Sequence, residues 1–308
     1  MMNAHLFAKG IASLLCGLSL GACSVSAQSP VEPPQVSAFV AFEPAQLDAI
    51  TLSEFDAPEA DQGAAVDAQH FYAVDNFVIG KFDKASGVLV ERWIGQDGGL
   101  IAHLNSCLEL VGELWCANSN YPETPMASSI EVFTTTPLAH AKSHSLGILD
   151  EGSLTWFDQM GDDWIAGFAH YAEKGGLAYK DPSFAGIVLY DNDWRRKGGW
   201  QFPQTVLDRM APYAASGGAV GPDEYLYIMG HDRPEMYVLA KPSMGPKLIH
   251  IATIAIEAEG QAFSWDHAAY EETGARQVYV VDRRNGKVRQ IGIPQINRVP
   301  SYALRFGE

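Results

Sequence analysis

HLNSCLELVGELWCANSNYP, residues 103–122, decides the fold. It reads as two strands joined by a tight turn at Val111-Gly112. Chemically capable side chains stand at its outer ends: His103 and Asn105 where it begins, Asn118, Asn120 and Tyr121 where it finishes. A hairpin lays those ends side by side, so groups far apart in sequence share one edge. With Val111 and Gly112 as the turn, Cys107 faces Cys116 across the pair, because 107 and 116 follow the same register as 110 and 113. An oxidising compartment permits a cross-strand disulfide there; two reduced core thiols are the other reading.

The same plan recurs at residues 62–76, 152–171, 216–232 and 260–282. Each unit starts on small residues, runs to a bulky residue and often Asp, turns, and returns through an aromatic-rich strand ending in polar groups. The first four units are each followed by a second hairpin, as in FVIGKFDKASGVLVERWIG at 77–95 with its Asp-x-x-x-Gly turn. Four short strands per unit of roughly 40–60 residues mark a β-propeller blade. The expectation is an all-β chain forming a single β-propeller of five blades over residues 36–308. Six blades is the alternative if residues 36–60 form more than a borrowed strand. The fifth unit holds only three strands, so an N-terminal strand, at 38–42 or 47–55, is expected to close it and remove the open edges. A short helix at 205–213 and a long loop over one face at 172–184 complete the picture.

The first residues read as an address. Lys9 precedes an apolar run from 11 to 22, too short to span a membrane and suited to a signal peptide over residues 1–22. Leu20-Gly21-Ala22-Cys23 has the form of a bacterial lipobox, with Cys23 acylated and Ser24 matching outer-membrane sorting. Cleavage after Ala27, giving a soluble periplasmic protein, is the competing reading. Residues 23–35 are Ser/Pro-rich and read as a tether. The membrane is then a partner only through the lipid anchor. A formal charge of −16 argues against nucleic acid, which needs a basic face, and agrees with an exported, well-solvated domain.

In a propeller the inner strands run parallel around a central channel, so their starts share one face with the ends of the second strands. That face collects Gln62, Asn76, His103, Asn105, Asn118, Asn120, Tyr121, His170, Tyr171, Ser216, His231, Asp232, Gln261, Asp282 and Arg283. Three imidazoles thus come from three blades. One reading is acid–base work by His103, His170 and His231 with Tyr121 or Tyr171 as the acid. The second is a divalent metal held by the three histidines, although no cofactor is otherwise implied. The third is a polar channel mouth that merely orients water. Asn105, Asn118, Asn120, Asp232, Gln261 and Arg283 are the candidate substrate-binding groups. His70, His140, His144, His250 and His267 read as structural or solvated, and Trp156, Trp164, Trp200 and Trp265 as inter-blade packing rather than sugar platforms. No G-x-S-x-G elbow, structural zinc spacing or phosphate loop is present.

At HLNS, NSNYP, SSIEVF, GSLTW, FAHY, SGGAVG, GHD and EGQAFSWD the chain resembles a group of exported bacterial β-propeller proteins often labelled cycloisomerase. More distantly it is similar to SMP-30-like lactonases and to propeller polysaccharide lyases that use His and Tyr. The group's HSNYP-like motif has His where this chain has Asn118, and the acidic calcium ligands of SMP-30-like lactonases have no counterpart here. The resemblance concerns the fold more than the substrate; the expected substrate is a small acid or a uronate-type molecule, with aromatic acids, lactones and uronate-bearing oligosaccharides as the candidates. The resulting expectation is an exported enzyme of lyase, isomerase or lactonase type, using His/Tyr acid–base chemistry for elimination, isomerisation or lactone opening. The alternative is a non-catalytic ligand-binding or scaffold propeller at the cell envelope.

Overall fold

The computed structural model describes residues 41–96 and 98–307, with a compact unit beginning at Phe42. The signal peptide, Cys23 and the tether expected from the sequence lie outside the described residues.

Five sheets follow one another in chain order, each built on four antiparallel strands, and that of blade 4 carries two strands more. Blade 1 contains Gly63–Val66, His70–Asp75, Val78–Asp83 and Leu89–Ile94. Blade 2 contains Leu104–Leu110, Glu113–Ser119, Ala127–Thr135 and Leu138–Ile148. Blade 3 contains Ser153–Met160, Asp163–Ala169, Gly186–Tyr190 and Arg196–Gln201. Blade 4 contains Gly217–Val220, Leu226–Met229, Glu235–Pro242 and Ile249–Ala255. Blade 5 contains Phe263–Trp265, Gln277–Asp282 and Lys287–Gly292, and its outer strand is Ile50–Asp56 from the N-terminal side. The molecule is a five-bladed β-propeller.

The ring closes as the three-stranded fifth unit requires. Phe55 sits opposite Val288 in register, and its ring lies 4.8 Å from Phe71 of blade 1. One strand therefore removes an open edge and also joins the first blade to the last. A further strand, Ala45–Asp48, runs parallel along Ile249–Ala255 on the outside of blade 4.

Small residues at the strand starts have a steric cause. The inner strands of neighbouring blades touch all the way around the axis. At Gly63 an added Cβ would stand 2.9 Å from both the Ala262 Cβ and the Asn105 carbonyl oxygen. The indole of Trp156 lies between blades 3 and 4, and a Cβ on Gly218 would fall 2.4 Å from it. Overpacking of that kind costs about 1–3 kcal/mol.

Blade 2 has the register read from sequence, with Leu110 opposite Glu113 and Cys107 opposite Cys116. The two cysteines form a disulfide. Val111 and Gly112 have φ of 51° and 81°, the left-handed pair of a type I′ hairpin turn. A register shift between Leu104 and Cys107 bends the strand at Asn105, as bulges near functional sites do.

Two short helices interrupt the sheets. α1, Gln204–Met210, falls where a surface helix was expected and buries Val206 and Met210. α2, His267–Thr273, stands where a hairpin continuation was expected. Its cause is local: the Asp266 side chain accepts a hydrogen bond from the Ala269 N–H, and Gly274 ends the helix at φ 74°.

Candidate functional site

Most of the residues mapped to one face do meet there, around a cavity of about 400 Å³. Gln62, His103, Asn105, Ser216 and Gln261 come from the starts of inner strands. Asn76, Tyr121, Tyr171, His231 and Arg283 come from the ends of second strands. Lys174 and Tyr213 also line the cavity and were not singled out in the sequence. The 172–184 loop was expected over this face, so Lys174 had a weak signal; Tyr213, in the loop after α1, had none.

His103 is the best-defined acid–base group. Its Nδ1 lies 2.5 Å from Asn76 Oδ1. An amide oxygen only accepts, so Nδ1 carries the proton and donates, and Nε2 keeps its lone pair. Burial pushes the His103 pKa down to about 4, against a smaller upward pull from Asp75. The ring is therefore neutral at pH 7, as a base must be.

Two tyrosines extend from this base. The Tyr121 ring lies 5.0 Å from the His103 ring, and the Tyr171 ring 4.8 Å from Tyr121. Burial raises the Tyr171 hydroxyl to about 12, which keeps it protonated. Asn105 is 3% exposed, and its Nδ2 has no hydrogen-bond partner. A buried donor in that state costs free energy that a ligand oxygen would recover.

The positive groups occupy the other part of the rim. His231 Nδ1 lies 2.6 Å from Asp232 Oδ1, and Arg283 donates toward His231 Nε2 at 3.3 Å. Tyr213 packs on the same imidazole at 4.2 Å. Both nitrogens of His231 are thus engaged, whereas His103 has one free. The wall includes Lys174 and Arg283 and no Asp or Glu, in a chain of net charge −16. At the opposite end of the channel a cavity of about 520 Å³ has the reverse character, with Asp67, Glu109, Asp158, Glu271 and His267 and neither Lys nor Arg. Burial raises the Asp158 carboxyl there, although Val220 and Gln159 N–H groups both donate to it.

Five residues mapped to this face are placed differently. His170 does not line this cavity; it is buried beside blade 3 in a separate cleft with Lys180, Phe184 and Trp200. Its neighbours Ala169 and Tyr171 do face the channel, so alternation of side chains along an extended chain turns His170 away. Asn118 holds the loop rather than a substrate. Its Oδ1 accepts from the N–H groups of Ala102 and His103, and its Nδ2 donates to Leu100 O and Ser129 Oγ. Asn120 closes the 120–127 turn, donating to Pro125 O and accepting from Ala127 N–H. Asp232 acts through His231 and is absent from the cavity wall. Asp282, also mapped to this face, is tied instead to Arg289 and Asn285.

With His170 apart, the three imidazoles do not converge. Among the described residues no group of three His, Cys, Asp or Glu side chains has metal-holding geometry. The residues present do not fit a three-histidine metal site.

No protein-family model matches the chain, and no curated protein matches it. Among solved structures it is similar to the WD40 repeats of RRP9, at 8% identity and TM-score 0.45, covering 75% of this chain and 79% of that one. It is similar to U3-55K at 9% identity and TM-score 0.44, covering 75% and 80%. It is also similar to luciferin-regenerating enzyme at 9% identity and TM-score 0.48, covering 82% and 98%. These likenesses concern propeller architecture and do not extend to the cycloisomerase or lactonase labels.

Proposed function

We propose that the His103 mouth of the channel is the acid–base site of an exported enzyme acting on a small carboxylate or uronate-type substrate. The observation that carries this reading is a neutral imidazole with a free Nε2, beside tyrosines, in a wall with two cations and no carboxylate. Arg283 and Lys174 would hold the substrate carboxylate, since charge-assisted hydrogen bonds to Arg are the strong ones. Asn105 Nδ2 would donate to the carbonyl oxygen on which charge develops. His103 Nε2 would take a proton from the adjacent carbon, or from water in lactone opening, and Tyr121 would return a proton to the leaving or receiving atom. A bound carboxylate also favours imidazolium, raising the His103 pKa toward a useful value once substrate is in place. His231 would position Arg283.

The test is turnover on a panel of lactones, unsaturated acids and uronate oligomers by the wild type and by His103→Gln. Loss of a general base costs about 10²–10⁴ in rate. A His103→Gln enzyme within a few-fold of wild type would reject His103 as the base. Binding of panel acids without turnover by the wild type would instead favour a ligand-binding propeller.

A further inference from the structure

We propose that the cleft beside blade 3, away from the channel, is a second binding site, and that it takes a neutral oligosaccharide. The cleft has a volume of about 390 Å³, within the usual range of about 300–1,000 Å³ for small-ligand sites. It lies between the 172–184 loop and the strands Gly186–Tyr190 and Arg196–Gln201. Nothing in the proposed channel chemistry uses it.

Three features determine the ligand class. The first is charge. Lys180 pairs with Asp150 at 2.8 Å, and Arg196 with Glu151 at 3.1 Å. Two cations and two anions cancel, so neither an anion nor a cation is favoured. The pairs still present both donors and acceptors, and that mixture suits hydroxyl groups, which each donate and accept.

The second is an aromatic face. Phe184 lines this cleft and is 52% exposed, with its ring edge-on to the His170 ring at 6.4 Å. An exposed ring face of this kind matches the C–H face of a pyranose, which is apolar on one side and polar at the edge.

The third is an unmet hydrogen bond. His170 is 1% exposed, and its Nδ1 is buried with no hydrogen-bond partner. A buried ring nitrogen in that state is costly, and a sugar hydroxyl, which both donates and accepts, meets it in either tautomer.

The experiment uses the processed wild-type protein with cellotetraose, maltotetraose and the tetramer of N-acetylglucosamine as probes, and tetragalacturonate as the charged control. Saturation-transfer NMR detects binding and calorimetric titration measures it. At least one neutral tetramer is expected to bind. Phe184→Ala and His170→Phe should each weaken it by about tenfold, or about 1.4 kcal/mol. Arg196 is exposed, so Arg196→Ala leaves folding intact and should weaken binding by a similar factor. His103→Gln should leave it unchanged. The proposal is overturned if no neutral tetramer binds, if only tetragalacturonate binds, if Arg196→Ala has no effect, or if His103→Gln abolishes binding.

Discussion

Replacing His103 by Gln tests the electrostatics on which the base assignment depends. A histidine in the unfolded chain titrates near 6.5, whereas burial holds His103 at about 4 in the fold. Between those values the unfolded chain binds the proton and the folded protein does not. Stability therefore rises with pH through this window, is complete above about 6.5, and falls as pH drops toward 4. A separation of about 2.5 units at 1.36 kcal/mol each gives about 3 kcal/mol, reduced to about 2 because solvent reaches part of the ring. His250, also held at about 4 by burial, titrates in the same window, so the wild type alone does not isolate the effect. The difference between wild type and His103→Gln does. Urea unfolding at pH 7 and pH 4.5 should show wild type losing about 2 kcal/mol more than the variant on acidification. Equal losses in the two proteins, or an NMR titration of His103 near 6.5 or above, would refute the reasoning.

Two further outcomes follow from local geometry. Val111 is fully exposed with φ 51°, a left-handed conformation that costs a β-branched residue about 1–2 kcal/mol, so Val111→Asn should raise the urea midpoint by about 1 kcal/mol of stability; no change would argue against the type I′ turn. Asn118→Ala removes the acceptor shared by the Ala102 and His103 N–H groups and should cost about 1–3 kcal/mol while lowering turnover; a variant with full stability and activity would show that Asn118 does not position His103.

The fold was legible because its constraints are periodic. Strand alternation, turn glycines and repeated small residues at the crowded axis all appear as pattern, and the lone three-stranded unit required a closing strand. The face of the ring was legible for the same reason: starts of inner strands and ends of second strands must coincide. α2 was written just as locally, with Asp266 as cap and Gly274 as stop, but it is less than two full turns long and sits inside a repeat read as a hairpin.

What sequence position does not carry is the direction of a side chain once the chain leaves a strand. Ala169, His170 and Tyr171 all stand at the end of Asp163–Ala169, yet only the first and third face the channel. Asn118 and Asn120 are polar and rightly placed, yet backbone groups of their own hairpin claim them, because an amide near unpaired N–H groups is first of all a cap. Trp200, on the outer strand Arg196–Gln201, keeps the inter-blade packing role read from sequence: it sits opposite Ile187, and its ring lies 6.0 Å from Phe306 in the cluster between blades 3 and 4. The displaced His170 comes instead to line a cleft with Phe184 on the other face of that sheet. The residue that left the proposed channel site is the one that gives the second cleft its unpartnered nitrogen.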